Sequence, residues 1–200
     1  MVAEKPSSMK IGIGDALIVV DVQNDFLPGG SLAVPRGDEI IDVLNHYIAA
    51  FSTRNLPVFA TRDWHPLHHV SFRKQGGPWP PHCVAGTVGA AFAPGLRLPV
   101  SVRVVSKGTT AEKDAYSGFA GTDLDAQLHA ASVRRVFVGG LATDYCVLNT
   151  VSDALARGFE TFLLEDAVRA VDVSTGDGAR ALAQMRARGA CPVTREAIDA

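Results

Sequence analysis

Residues 136–146 read Val-Phe-Val-Gly-Gly-Leu-Ala-Thr-Asp-Tyr-Cys and end on a cysteine placed for chemistry. The apolar run 136–138 reads as a buried strand, and the glycine pair as its break. Thr143 reads as the N-cap of a helix with Val147, Val151, Ala154 and Leu155 at helical spacing. Cys146 then takes the third helical position, where the backbone N–H has no partner inside the helix. A thiolate there is stabilised by the positive end of the helix macrodipole, so one turn offers a nucleophile and an anion-binding amide. A free thiol, with a pKa of about 8.5, is a weak nucleophile at neutral pH. It needs a carboxylate to take its proton and an ammonium to stabilise the anion. Asp21 and Lys107, each at the end of a short apolar run, fit those roles. The amide of Cys146 and one from the Leu141–Ala142 turn are candidate donors to an oxyanion.

A second set lies between residues 63 and 83: Asp63-Trp-His65, then His68-His69, then Trp79-Pro-Pro-His82-Cys83. Asp63 and His65 are two apart, so both side chains point the same way from an extended strand end. With His82 brought in by the loop, they form a carboxylate-plus-imidazole set suited to Zn, Fe or Mn, with positions left open for water or substrate. The same residues would also serve as ordinary loop polars and a surface histidine pair. Cys83 and Cys191 read as structural, Cys191 as a core residue in an apolar strand. His46 and His129 fall on helices and read as surface residues.

The elements that must position these groups alternate. Strands are expected at 16–21, 58–61, 102–106, 136–138, 160–164 and 191–193, and helices at 37–52, 124–131, from Thr143 to about 156, and 174–188. Residues 64–98 show no period, and a loop of that length in a compact domain is usually functional. Alternation of this kind implies an α/β fold of three layers: a six-stranded, mainly parallel sheet with helices on both faces. Asp21, Asp63, Lys107 and Cys146 follow the first, second, third and fourth strands. With strand order 3-2-1-4-5-6, Asp21 and Cys146 face each other across the point where the order reverses, where such folds bind ligands.

The 200 residues suit one domain, 1–200, with residues 1–10 as a flexible leader. Net charge is −2 and no Lys/Arg stripe appears, which speaks against nucleic-acid binding. No apolar run approaches bilayer length, so no membrane association is expected. Three cysteines fit no disulfide framework and suggest a reducing, cytoplasmic setting. An apolar helical face leaves room for a homo-oligomer.

Taken together, the chain resembles the nicotinamidase/pyrazinamidase family of isochorismatase-like cysteine hydrolases. The resemblance rests on Val-Asp-Val-Gln-Asn-Asp-Phe (20–26), Pro-Gly-Gly-Ser-Leu-Ala-Val (28–34), Arg-Asp-Trp-His-Pro (62–66) and Trp-Pro-Pro-His-Cys-Val (79–84). It extends through Ser-Lys-Gly-Thr (106–109), Asp-Ala-Tyr-Ser-Gly-Phe (114–119) and Gly-Leu-Ala-Thr-Asp-Tyr-Cys-Val (140–147). It implies hydrolysis of nicotinamide, and of pyrazinamide, to the acid and ammonia through a cysteine thioester, in NAD salvage. It implies Asp21 as base, Lys107 as third triad member and Cys146 as nucleophile, with a cis peptide at Leu141–Ala142 and the amides of Ala142 and Cys146 as oxyanion hole. The metal ligands would be Asp63, His65 and His82, with His69 as a fourth. Zinc is preferred over iron or manganese, and the metal holds the substrate's pyridine nitrogen directly or through water. Phe26, Trp79 and Tyr116 would line the ring pocket, and Tyr145 its rim. An amidase for carbamoyl or ureido substrates is the nearest rival, but such enzymes typically lack the metal set. A non-catalytic binding protein on the same scaffold is the alternative from another class.

Overall fold

A computed structural model describes residues 9–198. Its centre is a sheet of six strands: β1 (Asp15–Val20), β2 (Val58–Asp63), β3 (Arg103–Lys107), β4 (Arg135–Leu141), β5 (Glu160–Arg169) and β6 (Cys191–Val193). Their order is β3-β2-β1-β4-β5-β6, and all five pairings are parallel. The helices are α1 (Ile40–Thr53), α2 (Leu124–Ala130), α3 (Leu148–Ala156) and α4 (Asp177–Ala187). None of the described helices is long and apolar enough to cross a membrane.

The sheet has two apolar faces because strand side chains alternate. Leu17 and Val19 of β1 join a core with Ile40, Leu44, Tyr47, Ile48 and Phe51 of α1. Ala16, Ile18 and Val20 point the other way, into a core with Leu124 and Leu128 of α2, Val151 and Ala154 of α3 and Met185 of α4. This is the expected three-layer arrangement. The leader expected over residues 1–10 lies mostly outside the described residues; of its described end, Met9 donates its N–H to the Ala197 carbonyl at 2.6 Å.

Three local expectations are corrected. The glycine pair does not break the fourth strand: β4 runs through both to Leu141. A side chain at Gly140, where φ is +130°, would meet the Val20 carbonyl oxygen at 2.1 Å, so glycine is what lets β4 lie against β1 to its end. Thr143 is not an N-cap. Residues Thr143–Val147 form a π-helical turn preceded by Ala142, whose carbonyl accepts from Val147 and Tyr145 N–H, each at 3.1 Å. Cys191 is exposed, not core, because β6 is an edge strand paired only with β5. The long loop expected without regular structure holds one short 3-10 turn, Arg73–Gln75, and folds back so that His65 bridges Val84.

Candidate active site

Strand order reverses at β1, which pairs with β2 on one side and β4 on the other. The carboxyl ends of β1, β2, β3 and β4 deliver Asp21, Asp63, Lys107 and, through the π-helical turn, Cys146. All four are buried. Lys107 Nζ lies 2.9 Å from Asp21 Oδ2, donates to Asp63 Oδ1 at 2.5 Å and to the Ala115 carbonyl at 3.0 Å, and reaches Cys146 Sγ at 3.4 Å. Carboxylate oxygens of Asp21 and Asp63 lie with Cys146 Sγ within 4.8 Å of one another. Asp21 itself has φ 50°, a left-handed conformation that an aspartate tolerates better than most residues. Its Oδ1 accepts from the Thr61 hydroxyl at 2.6 Å, and Oδ2 faces the Lys107 ammonium. An ammonium has three donors, and here four groups surround it: Asp21, Asp63, the Ala115 carbonyl and Cys146. Asp21 therefore shares its cation with Asp63 and keeps acceptor capacity close to the thiol.

Burial pushes the Cys146 thiol well above its ordinary range. The Lys107 ammonium works against this, but Asp21 and Asp63 reinforce it. Burial thus works against the stabilisation that a helix start offers the thiolate, and the Lys107 ammonium is the charge that favours it. Burial also raises the Asp21 carboxyl against the pull of Lys107. Lys107 goes the other way: burial would lower it, but the two carboxylates hold it well above its usual value. Burial likewise opposes ionisation of Asp63, and there the Lys107 ammonium and His65 win, holding its carboxyl well below the usual range.

On the far side of Asp63, the side chains of Asp63, His65 and His82 bring ligand atoms within 4.8 Å of one another. His65 Nδ1 lies 2.9 Å from the Gly108 carbonyl and His82 Nδ1 lies 2.8 Å from the Pro80 carbonyl. A carbonyl only accepts, so each Nδ1 carries a hydrogen and Nε2 is the ring atom left to act as a ligand. One carboxylate and two imidazoles presenting Nε2 atoms is a donor set that fits a divalent metal. Burial lowers the pKa of His82, which keeps it neutral. At His65 the same effect is outweighed by Asp63 and the pKa rises. His69, the fourth residue of the sequence-expected set, is buried and stacks on His65 at 4.0 Å, but it does not join the cluster. Its Nδ1 faces the Ser71 hydroxyl at 2.7 Å, and its Nε2 lies 3.1 Å from the Lys113 carbonyl. His68 is exposed.

Between the two clusters lies a narrow cavity onto which Asp63, His65, His82 and Cys146 all face. Phe26, Trp79 and Tyr116 all line it, from three separate segments. Trp79 Nε1 donates to Tyr116 Oη at 3.0 Å, and Tyr145 packs edge-on against Trp79 at 5.1 Å. Ala142 and Cys146 form part of the floor, and the Leu141–Ala142 peptide is cis. Sequence reasoning missed the aliphatic wall of Leu32, Val34 and Val171 and the carboxylate of Asp114. The matching segments 28–34 and 114–119 carried a signal for Leu32, Val34 and Asp114, and none covered Val171.

Residues 15–197 match the family described as Isochorismatase domain. The chain belongs to that family. Its relatives include the nicotinamidase of Escherichia coli, 39% identical, the match covering 88% of this chain and 92% of that one. The structure of pyrazinamidase of Pyrococcus horikoshii in complex with zinc superposes with a TM-score of 0.87 at 50% identity, covering 90% of this chain and 99% of that one. PnC1 from L. infantum in complex with nicotinate gives 0.87 at 37% identity, covering 96% and 98%. Within the isochorismatase domain family the chain therefore stands with the nicotinamidases and pyrazinamidases, as a hydrolase acting on amides.

Proposed function

We propose that this isochorismatase-domain protein hydrolyses nicotinamide to nicotinate and ammonia, and pyrazinamide likewise. The observation that carries the reading is the adjacency of two clusters through Asp63: a Cys–Lys–Asp set and an Asp–His–His set on opposite sides of one aromatic cavity. A flat heteroaromatic ring fits between Phe26, Trp79 and Tyr116, where aromatic contacts contribute roughly 0.5–1.5 kcal/mol each beyond burial. Asp63, His65 and His82 would hold a divalent metal, zinc in preference to iron or manganese, which would supply a positive charge to attract the ring nitrogen. His69 lies behind His65 and supports its ring.

The chemistry belongs to the chain's own residues. Asp21 Oδ2 takes the Cys146 proton as Sγ attacks the carboxamide carbon, and Lys107 stabilises the sulfur anion. The amides of Ala142 and Cys146 receive the developing oxyanion. As the C–N bond breaks, Asp21 returns the proton to the leaving nitrogen and ammonia departs, leaving a thioester. Water gives a proton to Asp21 and attacks the thioester; the acid leaves, and the proton returns to sulfur. We place this reaction in the cytoplasm, where the free thiols of Cys83, Cys146 and Cys191 persist and nicotinate can re-enter NAD synthesis.

The test is ammonia release from nicotinamide, pyrazinamide and carbamoyl substrates, with metal content measured alongside. The unmodified protein is expected to favour the two ring amides, and Cys146→Ala to lose at least about 10³-fold while remaining folded. Activity retained in Cys146→Ala, or confined to carbamoyl substrates, would sink the reading.

A further inference from the structure

β1 pairs with β2 only as far as Val20 opposite Thr61, and Asp21 N–H still reaches the Thr61 carbonyl at 3.2 Å. Asp63, two residues on, is the last residue of β2, and β1 no longer runs beside it. On its other edge Asp63 is held by β3, opposite Lys107, with Trp64 N–H donating to the Lys107 carbonyl at 3.0 Å. The vacated edge is filled by one side chain. Gln23 Oε1 accepts from Asp63 N–H at 2.7 Å, and Gln23 Nε2 donates to the Asp63 carbonyl at 2.8 Å. The second Nε2 hydrogen goes to the Ala90 carbonyl at 2.9 Å, in the loop that follows His82. Gln23 is fully buried, and none of these bonds has water to replace it.

We infer that Gln23 is a positioning residue: its side-chain amide takes the place of the missing β1 peptide and fixes the main chain of Asp63. A primary amide carries one acceptor and two donors, which is what this edge requires. The aspartate so held points Oδ1 at Lys107 and keeps Oδ2 3.5 Å from His65 Nε2. The bond to Ala90 ties the loop carrying His82 to the same amide. Gln23 therefore sets the spacing of both clusters without touching the substrate. The inference rests on the proposed function in taking Asp63, His65 and His82 as a metal set.

The test compares Gln23→Met, which keeps length and volume but removes all three hydrogen bonds, with Thr161→Val. Thr161 is buried, donates to the Phe159 carbonyl at 3.0 Å and lies near the start of β5, away from the site. On metal-stripped protein, zinc affinity is measured by competition with a chelator; ammonia release is then measured at saturating zinc. Gln23→Met is expected to weaken zinc binding about 10- to 100-fold. It should also lower kcat with little change in KM, while Thr161→Val alters none of the three. Gln23→Glu keeps the shape and the acceptor but lacks both N–H donors. It covers the case in which Gln23→Met does not fold, with the same direction expected. Zinc affinity and kcat within twofold of the unmodified protein, or equal losses in Thr161→Val, would overturn the inference. Failure of the unmodified protein to bind zinc or to release ammonia counts against the proposed function instead, and the remaining readout then decides Gln23.

Discussion

The sheet carries a group of buried charges at each end of β1, and the two are built differently. At the amino end, Asp15 meets Arg135 through two hydrogen bonds, 2.5 Å to Nε and 2.6 Å to Nη2, and accepts a third from Gly12 N–H at 2.7 Å. The guanidinium lies 5.8 Å from the Phe137 ring and 5.7 Å from that of Phe162, with the side chain 29% exposed. One acid meets one base, both carboxylate oxygens are satisfied, and water reaches the cation. At the carboxyl end, one base serves two acids, and all three are buried. A matched, partly wet pair holds a fold together. A dry cation shared between two acids cannot satisfy both in full, which leaves a carboxylate able to take a proton.

Removing the cation from each group should separate the two sharply. Lys107→Met strands two buried carboxylates. We expect a loss of about 3–5 kcal/mol, a melting temperature lower by on the order of 10 °C, and no detectable ammonia release. Unchanged thermal denaturation would show that the buried acids do not depend on Lys107.

A smaller effect should follow from Gly108→Ala. Gly108 has φ +60°, and a Cβ there would stand 2.5 Å from the His65 ring. Displacing that ring is expected to weaken zinc binding by about tenfold or more, since the groups that orient metal ligands are worth about that much. Zinc titration of the stripped variant checks this, and an unaltered affinity would remove His65 from the set. Least of all should come from Arg135→Met. With Asp15 still capped by Gly12 N–H and the place of the 29%-exposed arginine open to water, the expected cost is about 1–2 kcal/mol. That corresponds to a drop of a few degrees in melting temperature, with activity unchanged. Lost activity there would erase the contrast between the two ends.

The carboxyl-end residues were legible because each follows a short apolar run, and run ends survive errors of one or two residues in strand length. Asp63 and Lys107 proved to be the last residues of their strands instead of lying one or two residues beyond them, and their placement held. The π-helical turn was not legible. Over five residues, hydrophobic spacing does not separate a π-turn from an α-turn, so Thr143 looked like a cap. The raised thiol pKa was missed for a different reason: the helix-end argument weighed the dipole but not the burial or the two acids that outweigh it. Leu32, Val34 and Val171 reach the cavity from loops without period, and only the folded chain shows that they share a wall. Gln23 sat in plain view within a matching segment. Its role depends on β1 ending before β2 does, a difference in length that strand patterns do not resolve.

Asp63 turns one oxygen to Lys107 and the other to His65. Anyone redesigning this protein meets that residue first. The histidines cannot be exchanged for a metal-free recognition loop while leaving the nucleophile's surroundings intact, because the same carboxylate balances the lysine. Nor can the cysteine, lysine and aspartate be grafted onto another scaffold as a three-residue kit. The smallest transferable unit spans both sides of the cavity.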